Sequence, residues 1–161
     1  MAVKLPLVLG TNGLFQQLQA GDTLNVPTAG ANAFTVTNSE AAAIVIGTPV
    51  YSFGAGQVKK GLASAAATSK IEGIMLSVST AAAGTGSMAT SGVLTATTAQ
   101  WDAVAGTTGG LVFNTNYFLS PTTAGLMTAT APVTVGQNVT RIGRALSTTD
   151  MMIDIQDEIL L

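Results

Sequence analysis

Apolar and polar positions alternate over short distances along most of this chain. From Leu14 onward, runs of β-branched and other apolar residues are separated by Gly, Pro, Asn, Ser and Thr every eight to twelve positions. Such spacing is typical of an all-β, mainly antiparallel sandwich or barrel. The predicted strands cover residues 14–19, 33–37, 43–47, 50–53, 57–63, 71–78, 86–90, 93–97, 117–120, 126–130, 139–146 and 152–156.

Two β-hairpins are predicted in the C-terminal part of the chain. The first joins 117–120 to 126–130 through PTTAG, in which a proline and a glycine favour a turn. The second joins 139–146 to 152–156 through STTD, whose side-chain oxygens can bond the turn backbone. In the last strand, Ile153 and Ile155 alternate with more polar neighbours, so one face is expected to be buried.

One short helix is predicted over residues 98–105, in the segment TAQWDAVAG. Thr98 is the expected N-cap and Gly106 the expected C-terminal stop. Trp101, the only tryptophan, shares a helix face with Val104, which favours a role as a core anchor. Stacking of a ligand on Trp101 is the alternative.

The N-terminal residues 1–13 are predicted to form an extended arm, and residues 14–161 a single β-rich domain. Pro6 disfavours helix at the preceding residue, and GTNG at 10–13 has turn composition. Both chain ends are apolar, VKLPLVLG at the start and IDIQDEILL at the finish. Such ends favour strand addition to the sheet edge of a neighbouring copy.

Composition then narrows the functional classes. The chain is 47% hydrophobic but only 5% aromatic and 9% charged, so its core is built from small side chains and assembly is expected to add stability. The net charge is −2, and the cations form only two small groups, Lys59, Lys60 and Lys70, then Arg141 and Arg144, which argues against nucleic-acid binding. Adjacent Lys59 and Lys60 are better explained as protection of a strand edge.

No apolar run reaches the length of a membrane helix, and no secretory signal is evident, so a soluble protein made in the cytoplasm is expected.

Candidate chemistry is sparse. The chain has no His and no Cys, which removes the commonest general base and metal ligands, so we expect no enzyme activity, no metal and no cofactor. Four acids lie in the last twelve residues, where a calcium site is weighed against a solvated or partner-facing acidic edge: Asp150, Asp154, Asp157 and Glu158. Cell-wall polysaccharide hydrolysis by carboxylates such as Glu72 and Asp154 is the enzymatic alternative, and the scarcity of aromatics counts against it.

Four segments carry a resemblance to a known family. They are LPLVLGTNGLFQQLQAGDTL, GVLTATTAQWDAVAGTTGGL, NYFLSPTTAGLMTATAP and VTRIGRALSTTDMMIDIQDEILL, which together span most of the chain. They resemble the capsid decoration, or cement, proteins of tailed bacteriophages, and similar segments also occur in phage fibre proteins. The resemblance rests on patterns of turns and strands and includes no catalytic motif.

The resemblance implies a structural virion protein that forms a homotrimer on the outer face of the phage head. There it would bridge subunits of the major capsid protein and stabilise the shell, with no nucleic acid or membrane as partner. The extended arm is then the expected capsid-binding element, through Val3, Leu5, Pro6, Leu7 and Leu9. The alternative is a head or tail fibre component that takes part in host attachment.

Overall fold

The computed structural model describes residues 32–79 and 82–161, together with two strands nearer the N-terminus. These strands are β1, Leu7–Leu9, and β2, Phe15–Gln17, and they pair antiparallel with Val8 opposite Gln16. Part of the predicted arm is therefore extended, and it pairs within its own chain. The other arm residues assigned to capsid binding, Val3, Leu5 and Pro6, lie outside the described residues.

The first half of the described chain forms a small closed barrel. Its strands follow one another around the barrel as β3, β5, β4, β6 and β7, and β7 closes the ring on β3. All neighbours are antiparallel except the pair β3 and β5. The bounds are β3 Ala33–Asn38, β4 Pro49–Gly54, β5 Gln57–Lys60, the helical turn α1 Ala66–Ser69, β6 Gly73–Met75 and β7 Thr85–Ala89.

The second half forms an open antiparallel sheet with a helix beside it. The sheet order is β10, β9, β12, β13 and β8, and a separate two-stranded sheet joins β11 to β14. The bounds are β8 Ser91–Thr95, α2 Thr98–Ala105, β9 Asn116–Leu119, β10 Met127–Thr128, β11 Asn138–Val139, β12 Arg141–Ala145, β13 Asp150–Asp154 and β14 Ile159–Leu160.

Two clusters of buried side chains hold these parts together. The smaller one fills the barrel with Val36, Ile44, Val50, Val58, Met75 and Met88. The larger one joins α2 to the open sheet, to the barrel residues Ile74 and Ala89 and to Ile71, which precedes β6. Because the larger cluster takes residues from both halves, it packs the outside of the barrel against the open sheet, while the smaller cluster remains inside the barrel.

The predicted fold class is confirmed, since the chain is mainly antiparallel β with a short helix at 98–105. Both predicted hairpins are confirmed as well. Met127 lies opposite Leu119 across the first, and Met152 lies opposite Arg144 across the second. Ile153 is buried, as the alternation predicts.

Four local expectations are corrected. The N-cap of α2 is Thr97 and not Thr98, because the Thr97 side chain accepts the Gln100 N–H. Residues 43–47 form a single bridge from Ile44 to Ser79 and then a turn, in place of a strand. The barrel strand that carries Lys59 and Lys60 has a neighbour on each side and is not an edge strand; the two lysines pair with β4, and β3 pairs with Gln57 and Val58 of the same strand. The predicted strand 139–146 is interrupted at Thr140.

Candidate binding surfaces

Trp101 is fully buried, and its position depends on contacts at both ends of the indole. Its Nε1 donates a hydrogen bond of 2.8 Å to the carbonyl oxygen of Thr149, in the turn between β12 and β13. Gly47, at φ +84°, passes so close to the ring that a Cβ there would lie 3.0 Å from Trp101 Cζ3. The indole therefore fixes α2 against the sheet and the 46–47 turn, and its buried faces leave no room for a stacked ligand.

Asp102 organises the loop that follows α2. Its carboxylate accepts hydrogen bonds from the Gly110 N–H at 2.8 Å, the Gly109 N–H at 3.0 Å and the Thr107 hydroxyl at 2.8 Å. These donors, the Gly110 N–H first among them, hold the pKa of Asp102 below its ordinary value despite the opposing effect of desolvation. The three hydrogen bonds give this carboxylate a structural role in the loop 107–110.

The C-terminal acids considered for calcium binding have separate local partners. Asp150 accepts hydrogen bonds from the hydroxyls of Ser147, Thr95 and Thr149, which lower its pKa in that order of effect. Asp154 forms an ion pair of 2.9 Å with Arg141. In the part of the chain that the structure describes, no group of three or more acids is placed to hold a metal ion.

Asp157 and Glu158 line a different feature, a cleft of about 280 Å³ between the end of β13 and the strand that starts at Gly73. Lys70 and Glu72 lie in the same cleft, so its wall carries charges of both signs. Asp154, the other carboxylate considered for hydrolysis, is not among the lining residues. The two carboxylates of that alternative therefore do not share this cleft.

Large apolar side chains are exposed over much of the surface. No charged residue occurs between Asp102 and Arg141, and this uncharged stretch contains several of the most exposed aliphatic and aromatic groups. Phe113 is 72% exposed, Val133 84% and Val135 87%. Isolated exposed apolar residues are ordinary, but contiguous apolar surface on a soluble domain marks a binding site.

The sheet formed by β11 and β14, together with the C-terminal Leu161, is the first such surface, here called the terminal ribbon. Val139 pairs with Ile159 and Asn138 with Leu160, and the Leu161 N–H donates to the Gln137 carbonyl oxygen. Asn138 is buried, and its N–H donates to the Ala63 carbonyl oxygen, which attaches the ribbon to the domain. Ile159 and Leu160, in contrast, are both about two-thirds exposed, at 65% and 68%.

A groove beside the helix is the second apolar surface, here called the α2 groove. It has a volume of about 250 Å³ and is lined by Val45, Ile46, Val78, Ala99, Gln100 and Ala103. Ala99 and Ala103 are exposed on the side of α2 away from Trp101, where a solvated helix usually has charged or polar side chains. None of the lining residues carries a charge.

The structure describes some of the site residues that were predicted from the sequence. Leu7 and Leu9 lie on β1, and Trp101 lies in the core. Sequence reasoning recognised the apolar C-terminus but missed its pairing with β11, and it missed the α2 groove. The spacing of Ala99 and Ala103, four residues apart opposite Trp101, is the one signal that could have indicated the groove.

Comparison with known proteins adds no relative: no protein-family model matches the chain, and a search of curated proteins finds no match. Among the described residues, no helix has the length and apolar character required to cross a membrane.

Proposed function

We propose that this chain is a capsid decoration protein that binds the outer face of a tailed-phage head and bridges neighbouring major-capsid subunits. The observation that carries the proposal is the exposure of many large apolar side chains, including Phe113, Val133 and Val135 in the uncharged stretch between Asp102 and Arg141. Asp102 and Asp150 also support the proposal, because their carboxylates are engaged in hydrogen bonds that stabilise loops and are not free for catalysis. The resemblance of the four sequence segments supplies the class of partner.

The physical basis of such a function is multiple weak binding without chemistry. Each copy that binds the assembled shell but not its free subunits shifts the equilibrium towards the shell. Many copies acting together stabilise the particle even when each contact is modest. A rigid β domain with few charges suits this role, because copies can lie close to one another without strong mutual repulsion.

Deletion of residues 2–10 tests the arm as the capsid-binding element. The deletion removes Val3, Leu5, Pro6, Leu7 and Leu9, so we expect co-sedimentation with undecorated phage shells to be lost. The deletion also removes β1, the partner of β2, so the fold expected to persist is that of residues 32–161, checked by circular dichroism and the thermal midpoint. A matched control replaces residues 2–10 with a Gly/Ser sequence of equal length, and it should also fail to bind. Full binding by the deletion variant would overturn the arm assignment.

A fibre component that takes part in host attachment is the second candidate, and exposed aromatic rings favour it. Phe34 is 51% exposed, Phe53 55% and Phe113 72%, and receptor-binding surfaces often use aromatic side chains. One of the three rings is already covered on one face, because Lys59 Nζ lies 3.8 Å from the centroid of Phe53. The two candidates differ in where the chain lies on the virion, which microscopy can determine.

A further inference from the structure

The loop that follows α2 and the turn between β12 and β13 meet beside Trp101. The Leu111 N–H donates a hydrogen bond of 3.0 Å to the Thr148 carbonyl oxygen, and the Trp101 indole N–H donates one of 2.8 Å to the next carbonyl oxygen, that of Thr149. Gly110 has φ +94°, and a Cβ there would overlap the Thr148 carbonyl oxygen, so the two backbones are in close contact. This contact is here called the loop junction, and its residues are 107–111 and 147–150.

Each side of the loop junction is held by one carboxylate. On the α2 side, Asp102 accepts the three hydrogen bonds described above. On the other side, Asp150 accepts hydrogen bonds from the hydroxyls of Ser147 at 2.6 Å and Thr149 at 3.3 Å. Asp150 also accepts the Thr95 hydroxyl at 2.5 Å, which fixes the turn to β8. Two carboxylates therefore position opposite sides of the same contact.

Few other charges face these two carboxylates in the part of the chain that the structure describes. Strands β8, β9 and β10 and the segment 103–116 contain none. Arg144 lies on the same face of the sheet as Asp150, since it pairs with the residue two positions further along β13. At the far end of β13, Asp154 forms its ion pair with Arg141. Because arginine stays protonated in acid, the two carboxylates are the groups of the loop junction that titrate there.

Protonation of the two carboxyls removes the charges that hold both sides of the loop junction. Hydrogen bonds, that of Gly110 first for Asp102 and that of Ser147 first for Asp150, keep both pKa values below their ordinary value near 3.8. Their stabilising effect is present above that value and is lost as the pH falls through the lower folded-state pKa values. The cluster inside the barrel consists of apolar side chains only, so this protonation does not weaken it directly.

We propose that the loop junction is an acid-sensitive conformational device, in which protonation of Asp102 and Asp150 separates the two loops and exposes Trp101 while the barrel stays folded. Because both carboxylates position one contact, loss of either one reduces what the other contributes to stability. The inference goes beyond the proposed capsid function and does not rest on it. Its test uses the isolated full-length chain in solution, so failure of shell binding would leave it unaffected.

Trp101 is the only tryptophan, so its fluorescence reports on the loop junction directly. Acrylamide quenching and far-ultraviolet circular dichroism are followed on the same samples from about pH 7 to about pH 2. The quenching constant should rise about threefold or more below pH 3.8, while most of the dichroism signal of the strands remains. A single transition in which both signals change together would overturn the proposal, as would a quenching constant that stays unchanged in acid.

Two variants and their combination test the assignment to the carboxylates. Asp102→Asn and Asp150→Asn should each reduce the ratio of the acid to the neutral quenching constant, and the double variant should bring it close to one. Asp157→Asn, the same change at an exposed position outside the loop junction, should behave as wild type. A folded double variant that keeps the wild-type ratio would overturn the proposal. Where a variant fails to fold, the wild-type comparison of quenching and dichroism still decides.

Urea unfolding of the same four proteins at about pH 6, namely the wild type, the two single variants and the double variant, tests the coupling. Asp150→Asn should change the urea midpoint less in the Asp102→Asn background than in the wild type. Strictly additive effects of the two substitutions would show that the carboxylates hold independent loops, and this result would overturn a shared device.

Discussion

Two neighbouring residues in α2 perform separate structural tasks. Trp101 contributes the largest buried side chain and a buried hydrogen bond to Thr149. Truncation of a buried aromatic to alanine usually costs about 3–5 kcal/mol, so much of the stability of this core depends on one residue. The Asp102 carboxylate accepts hydrogen bonds from three donors in the loop that follows the helix. A chain with few large side chains thus concentrates its stability at a small number of positions.

The lowered pKa of Asp102 predicts a specific loss of stability in acid. A carboxyl whose folded-state pKa is lowered stabilises the fold above its ordinary pKa, near 3.8, and this contribution is lost as the pH falls through the lower folded-state pKa. Asp102→Asn should therefore reduce the free energy of unfolding at about pH 6 and have a smaller effect at about pH 2. Urea unfolding at the two pH values measures the difference.

The control for this prediction is Thr108→Val, an exposed change in the same loop that leaves the carboxylate and its donors in place. It should shift stability equally at both pH values. An Asp102→Asn effect of the same size in acid and at neutral pH would contradict the role of the charged carboxylate.

At the scale of elements, α2 shows how a local motif decides a boundary. Thr97, Thr98, Ala99 and Gln100 form a capping box, in which the Thr97 side chain accepts the Gln100 N–H and the Gln100 side chain accepts the Thr97 N–H. Thr98 lacks a Glu or Gln three residues later, since Trp101 is at that position. At the other end, Gly106 adopts φ +63° and its N–H donates to the Asp102 carbonyl oxygen.

Alanine substitution of Thr97 and of Thr98, one at a time, distinguishes the N-cap residue from its neighbour. Thr97→Ala removes one hydrogen bond to the free N–H groups of the first turn and should lower the free energy of unfolding by about 1 kcal/mol. Thr98→Ala, at the first helical position, should change it by about 0.5 kcal/mol or less. Chemical denaturation measures the free energy of unfolding of both variants. A larger loss for Thr98→Ala than for Thr97→Ala would contradict the assignment of Thr97 as the N-cap.

Elements that depend on local signals were predictable, and those that depend on distant pairing were not. Turn residues at 121–125 and 147–150 identified two hairpins whose partners are adjacent in sequence. Nothing local indicates that β3 pairs with β7, or that β5 lies parallel to β3, because barrel closure joins strands far apart in the chain. Residues 43–47 have strand composition, but the packing of Gly47 against Trp101 turns the chain there.

The candidate surfaces also combine features with local sequence signals and features that depend on distant parts of the chain. Apolar residues at the C-terminus were visible in the sequence as a segment that needs a partner, and part of that need is met by β11 in the same chain. The α2 groove combines residues from three distant segments, 45–46, 78 and 99–103. Its existence depends on the tertiary fold, so composition and spacing could indicate only its helical wall.

At the scale of the whole molecule, the fold combines two buried clusters with an exterior that carries few charges and many exposed apolar side chains. The barrel and the open sheet contribute buried residues to the larger cluster, which packs the two parts against each other. Aliphatic side chains are exposed on the terminal ribbon and line the α2 groove. The proposed decoration function would use this exposed apolar surface for attachment to the shell.

Gold labelling of intact virions with an antibody to this chain, read by negative-stain electron microscopy, would determine where on the virion the chain lies. A decoration protein should give label at many regular positions over the head, and no label on heads of a phage that lacks the gene. Label confined to the tail tip or to a single vertex would contradict it and favour the fibre component, and virions without label would contradict both candidates.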